Sequence, residues 1–325
     1  FVKNFTSDSG ARMKAEMMIV NKETDYAAWN PTPGQNGGAS GSLAQAYVEA
    51  AGMDFAPELT FWAGKKYYGR DDIHIMDYYW RDMQGKGAGV KGIDVGGANL
   101  SADFIGKKKQ QNLDLRLSGI QVPGGTFELE VTPSWMKENA NAESGLHVAG
   151  IYNRPDFFGV LDGSSKAVLQ YGSGLGFNAG TANAFWAGED YVMTRATFYG
   201  TANINDTMEA MPVFSYQNED KDTDGEVTWI TLGGRLVKHH TTNFAMQYEY
   251  GYDTVDKDDD KTYNLHKFTV APTITWEVGF LKRKEIRAFA TYAMWDEDSN
   301  PGSGFGYEAS DEGGMTYGVQ TEIWW

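Results

Sequence analysis

The sequence predicts an all-β protein, a transmembrane antiparallel up-and-down β-barrel. Three observations carry the expectation. Apolar and polar residues alternate with period 2 along most of the 325 residues, while helical periodicity is nearly absent. The segments with this pattern number roughly sixteen, more than an open sheet holds without closing or splitting. Their connections alternate between short and long, as they do when the two ends of a meander face opposite sides of a membrane. No run of eighteen apolar residues is present, so no transmembrane helix is available. The mean hydropathy of -0.48 does not argue against a barrel, because a barrel strand carries its apolar residues at every second position.

Taken in order, each strand shows one apolar and one polar side, since successive side chains point to opposite faces. "NLDLRLS" sets Leu113, Leu115 and Leu117 against Asp114, Arg116 and Ser118. "TFELEVT" sets Phe127, Leu129 and Val131 against Glu128 and Glu130. In "NFAMQYEYGYD" Phe244, Met246, Tyr248, Tyr250 and Tyr252 oppose Asn243, Gln247, Glu249 and Asp253. "FTVAPTITWEV" sets Phe268, Val270, Ile274 and Trp276 against Thr269, Thr273, Thr275 and Glu277. The short connections include 96–99, 122–125, 203–208 and 238–242; the long ones include 21–42, 69–89, 133–145, 174–189, 254–262 and 297–313. Tyr250, Tyr252, Trp276 and Trp325 are expected near strand ends, as interfacial rings. In the terminal "TEIWW", Trp325 shares a face with Ile323, whereas Trp324 falls on the polar face with Gln320 and Glu322. No interdomain linker appears, so residues 1–325 read as a single domain.

Composition excludes several function classes. The absence of Cys removes disulfides, thiolate metal sites and a cysteine nucleophile. A formal net charge of -16 argues against nucleic acid as a partner. The chain carries no defensible catalytic motif, phosphate loop or cofactor site. "DKDTDG" matches the front of a calcium loop through Asp220, Asp222 and Asp224, but Thr231 stands where the closing glutamate belongs, and a solvated acidic loop is the default. "YYGRDDIHIMDYYW" (67–80) is the densest cluster of charge and rings. Its Asp71, Asp72, His74 and Asp77 lack metal-motif spacing. As a sugar surface it offers both chemistries a pyranose uses, rings for its C–H faces and charged groups for its hydroxyls. A plain loop ion pair between Arg70 and Asp72 beneath packed tyrosines is the competing reading.

"FWAGKKYYGRDDIHIMDYYWRDMQGKGAGVKGIDVG" (61–96), "IRAFATYAMWDE" (286–297) and "YGVQTEIWW" (317–325) resemble the corresponding segments of the maltoporins. The resemblance implies an eighteen-stranded barrel in the Gram-negative outer membrane, a homotrimer that passes maltose and maltodextrins by facilitated diffusion. It implies that 69–89 is a constriction loop, with Arg70, Asp72 and Asp77 in an ionic track for sugar hydroxyls and Tyr79 setting the gap. It places Trp324 in the aromatic slide, and it makes 21–42 a latch over a neighbouring subunit, with Trp29 or Tyr26 lending a ring. Two departures stand out: Leu281 replaces a family Trp, and Ser164 to Ala167 occupy the place of a family Phe. The family's first two strands have no counterpart ahead of residues 1–11. A general diffusion porin and a soluble carbohydrate-binding β-sandwich are the alternative readings.

Overall fold

A computed structural model describes residues 1–23, 39–76, 78–136, 142–222, 225–258, 261–282, 284–296 and 312–323. Two compact units emerge from the contacts, one formed by 1–72, 78–151 and 170–194, the other by 73–76, 152–169 and 195–323.

In the first unit, β1 (Val2–Thr6) pairs with β2 (Arg12–Glu23), followed by β3 (Ala39–Met53) and β4 (Ala56–Lys66). Then come β5 (Arg70–Ile73) and β6 (Tyr78–Asp82), a two-stranded ribbon separate from the larger sheet. β4 pairs directly with β7 (Gly85–Val95), so the ribbon is an insertion between two sheet neighbours. The meander continues antiparallel through β8 (Ala98–Lys107), β9 (Gln110–Val122) and β10 (Gly125–Met136). β11 (Ser144–Phe157) and β12 (Leu161–Gly174) supply residues to both units.

β13 (Val192–Asn205) ends the irregular segment 175–191 and leads into β14 (Met208–Asp220) in the second unit. β14 pairs with β15 (Glu226–Thr241), and the ladder runs on through β16 (Phe244–Lys257), β17 (Lys261–Thr275), β18 (Lys284–Trp295) and β19 (Gly313–Ile323), each antiparallel to the last. Sixteen of the nineteen described strands are 10 to 16 residues long, which matches the expected number and is enough for a tilted strand, about 9–11 residues, to cross a bilayer.

The alternation holds along these strands. On β15 to β17 the face bearing Leu232, Tyr248, Phe268, Val270 and Ile274 is exposed, each side chain at 43% or more. The opposite face buries Thr231, Gln247 and Thr273. That face is stitched by Asp253 accepting from Trp229 and by Arg235 paired with Glu249 at 2.8 Å. An apolar exterior around a hydrogen-bonded polar face inverts the arrangement of a water-soluble sheet.

Strands run further than the sequence indicated. β16 and β17 extend to Lys257 and from Lys261, so most of 254–262 is strand rather than loop. Tyr250 consequently sits in the middle of β16, opposite Gly234 and Phe268, not near a strand end. Trp276 does lie just past the end of β17, 59% exposed. Trp325 is outside the described residues.

Candidate functional site: the inserted ribbon and the wall beneath it

The ribbon of β5 and β6 places charged groups and rings in alternation on a short, tightly held hairpin. Arg70 lies against two tyrosines, its guanidinium carbon 4.4 Å from the centre of the Tyr67 ring and 4.3 Å from that of Tyr79. Both rings lie within cation–π range of the guanidinium. Asp82 sits 3.6 Å from Arg70 Nε. Tyr79 is 36% exposed and Asp72 is half-buried on β5. The structure thus brings Arg70 and Tyr79 into direct contact. It gives the pair a joint geometry that the sequence showed only as proximity. Asp77, Trp324, Trp29 and Tyr26 lie outside the described residues.

Arg81 anchors the ribbon, a role sequence reasoning missed. Its guanidinium donates to Asp71 on β5 at 2.6 Å and to Glu128 and Glu130 on β10 at 2.6 and 2.8 Å. Glu130 is fully buried and also meets Arg116 at 3.3 Å and His147 at 3.4 Å. Burial alone would weaken the charge on Arg81; Glu130, Asp71 and Glu128 outweigh it and hold the guanidinium protonated well above its ordinary range. The one signal for this was the inward alternation of Glu128 and Glu130, which demanded buried cations without saying which.

Packing beneath the ribbon is equally specific. Trp80 is fully buried, and its backbone carbonyl accepts from Gln170 at 3.0 Å. Trp62 and Tyr68 stack with ring centres 5.6 Å apart, and both donate to the buried carboxylate of Asp103. Burial pushes the Tyr68 phenol up against the pull of Arg116, so Tyr68 stays a neutral donor. Gly89 makes this possible, because a Cβ there would meet Asp103 Oδ1 at 2.0 Å and Trp62 Nε1 at 2.8 Å.

The connection expected as a long polar loop at 174–189 is instead an ordered segment, 175–191, packed against the wall and the ribbon. Gln110 and Asn112 of β9 donate to the carbonyls of Leu175 and Ala182, and Gln110 accepts from the amide of Ala184. Asp82 of the ribbon bridges to Thr181 in parallel, its amide donating to the Gly180 carbonyl at 2.6 Å. Gly180 has φ +76, and a Cβ there would strike the Trp80 carbonyl at 2.4 Å.

His74, for which the sequence offered no role, meets β19: its Nε2 is 3.1 Å from Glu322 Oε1. Glu322 in turn accepts from Arg287 at 3.0 Å, and Arg287 donates to Glu285 at 2.7 Å. Gln320 and Glu322 therefore occupy the polar face of β19, as the alternation required. Of the departures, Leu281 is exposed in the β17–β18 connection, and Ser165 is buried, donating to the Asp156 carbonyl and accepting from the Phe158 amide. Asp220 caps the amide of Asp222 in a tight turn that Gly225 closes, which gives these aspartates a backbone task; Asp224 lies outside the described residues. Among the described residues no cluster of three metal-ligating side chains occurs.

An all-antiparallel meander with an apolar exterior and a ribbon inserted over a charged polar face has a counterpart among known families. The family model described as LamB porin matches residues 1–325, the whole chain. The chain belongs to the LamB porin family. It is an outer-membrane porin of Gram-negative type, a channel protein with a transmembrane antiparallel β-barrel fold. Among solved structures, Pseudomonas aeruginosa OccK10 (OpdN) is similar at a TM-score of 0.50 and 12% identity, over 100% of this chain and 92% of that one. At that identity the likeness is one of fold.

Proposed function

We propose that this porin is a carbohydrate-selective channel that passes maltose, maltodextrins or related oligosaccharides by facilitated diffusion, as a homotrimer with one barrel domain per chain. The observation that carries the reading is the Tyr67–Arg70–Tyr79 stack on an inserted ribbon. A guanidinium set against two rings offers N–H donors beside an aromatic surface. Sugar hydroxyls take the donors and the carboxylate of Asp72, and pyranose C–H faces take the ring. In this reading Asp77 completes the polar track, Tyr79 sets the gap, Trp324 extends the aromatic path, and Trp29 or Tyr26 reaches a neighbouring subunit. Binding is weak and repeated, because a conducting site must release what it binds.

The test is single-channel conductance of the purified protein in planar bilayers. Added maltohexaose should interrupt the current, and Tyr79→Ala should shorten or abolish the interruptions. A current indifferent to maltose, sucrose, cellobiose and longer glucans alike would leave a general diffusion porin in place of a sugar channel. That second reading draws on the density of charge around Arg81, which suits ions as well as sugars.

A further inference from the structure

Beside the ribbon, the polar face of β4, β7, β8, β9 and β10 holds a pocket of about 300 Å³ within the first unit. Lys66, Lys91, Arg116, Asn99, Ser101 and Glu128 contribute to its lining, and Tyr67 forms part of its rim. Three cations and one carboxylate meet there, in a chain whose formal net charge is -16. A local excess of positive charge against that background calls for an explanation.

Most of these charges are already matched. Lys66 pairs with Glu49 at 2.8 Å, Arg116 with Asp114 at 2.7 Å, and Glu128 with Arg81 at 2.6 Å. Lys91 is different: among the described residues its ammonium makes no ion pair within 4.0 Å, Glu49 and Asp103 act on it only at longer range, and the Tyr68 ring lies 5.9 Å from the nitrogen. Register places it on the polar face, since Thr60 pairs with Lys91 and buried Trp62 with Gly89. A cation in a recess of reduced dielectric attracts an anion far more strongly than it would in open water. Around it, the Asn99 amide and the Ser101 hydroxyl add neutral hydrogen-bonding groups. The volume lies at the small end of ligand pockets, about that of one sugar ring.

We propose that this pocket is a subsite for an acidic sugar residue, with Lys91 pairing to its anionic group, carboxylate or phosphate, and Asn99 and Ser101 binding its hydroxyls. The proposal rests on the sugar-channel reading and narrows its substrate class. A neutral glucan has no group to match Lys91, whereas a uronate or sugar phosphate places its charge there while the remaining rings follow the Arg70 stack.

The experiment titrates current noise of the reconstituted protein with maltotriose and with a trisaccharide of equal length ending in glucuronic acid. The acidic sugar should block at concentrations at least tenfold lower, and that advantage should shrink on raising the salt concentration. Lys91→Gln should bring the ratio of acidic to neutral block close to one, and Lys91→Arg should restore it. Competition by glucuronate against glucose 1-phosphate then separates carboxylate from phosphate as the preferred group. If maltotriose blocks and the acidic sugar is no better, the subsite is refuted and the sugar channel stands. An acidic advantage that survives Lys91→Gln also refutes it. Inorganic phosphate competing as well as either sugar acid marks an adventitious anion site and overturns the proposal. If neither trisaccharide blocks, the sugar-channel reading fails and takes the subsite with it.

Discussion

Arg70 and Arg81 are eleven residues apart and do opposite work. Arg70 lies partly exposed against the Tyr67 and Tyr79 rings and 3.6 Å from Asp82, so its contribution is to whatever passes; Arg81 is buried and engaged by Asp71, Glu128 and Glu130. The two should separate experimentally. Arg70→Lys keeps the charge but loses the stacked plane, and should weaken sugar block by a factor of about 2 to 5, the worth of roughly 0.5–1 kcal/mol of cation–π contact, with folding intact. Arg81→Met removes the shared cation of Asp71, Glu128 and buried Glu130, leaving Glu130 to Arg116 and His147, and should cost up to about 3–5 kcal/mol of stability, read as a fall in the temperature at which the compact band on SDS gels converts to the unfolded one. Equal losses of sugar block and stability in both variants would contradict this division. Arg70 and its rings were visible in the sequence as a dense cluster. Arg81 was not, because its partners on β10 lie 47 and 49 positions away and only folding reveals them.

At the level of elements, the ribbon is held within the first unit by Arg81 to β10, by the Trp80 carbonyl to Gln170 of β12 and by Asp82 to the segment 175–191, while His74 pairs with Glu322 within the second unit. Gly180 sits where the Asp82 attachment has no room for a side chain. Gly180→Ala should displace Trp80 and Asp82, and with them Arg70, and so change single-channel conductance while leaving the strands formed; unchanged conductance and sugar block would show that the 175–191 contact does not position the ribbon. His74→Ala should leave the fold intact and raise open-channel noise, since it releases the tip alone. The exposed apolar faces carry a separate prediction. Leu232, 51% exposed between Phe214 and Tyr252, faces lipid, and Leu232→Arg should cost about 2–4 kcal/mol in bilayers if it lies near the midplane. Refolding yields into lipid vesicles measure this. Alternation was plain in the sequence on the neighbouring strand, where Tyr248 and Tyr250 oppose Gln247 and Glu249; the lengths of the strands were not, because polar residues such as Asp256 and Lys257 continue a ladder as readily as they end one.

For the whole molecule, the net charge of -16 should favour cations in the channel, measurable as the sign of the reversal potential in a potassium chloride gradient. An anion preference would show that the basic pocket around Lys91, rather than the total charge, governs permeation. The family was legible in the blocks 61–96, 286–297 and 317–325, and the fold class in a period of 2, which assigns strand residues to lipid or to the polar side without knowledge of their neighbours. The direction in which Gln320 and Glu322 face followed from the same rule. Tertiary structure alone decided which charges meet: that His74 reaches Glu322, that segment 175–191 folds onto the ribbon, and that among the described residues Lys91 makes no ion pair while Lys66 and Arg116 are matched. The physical reason is range. Alternation is a local property of the backbone, whereas an ion pair depends on side chains brought together from strands distant in sequence, and no period in the chain records that distance.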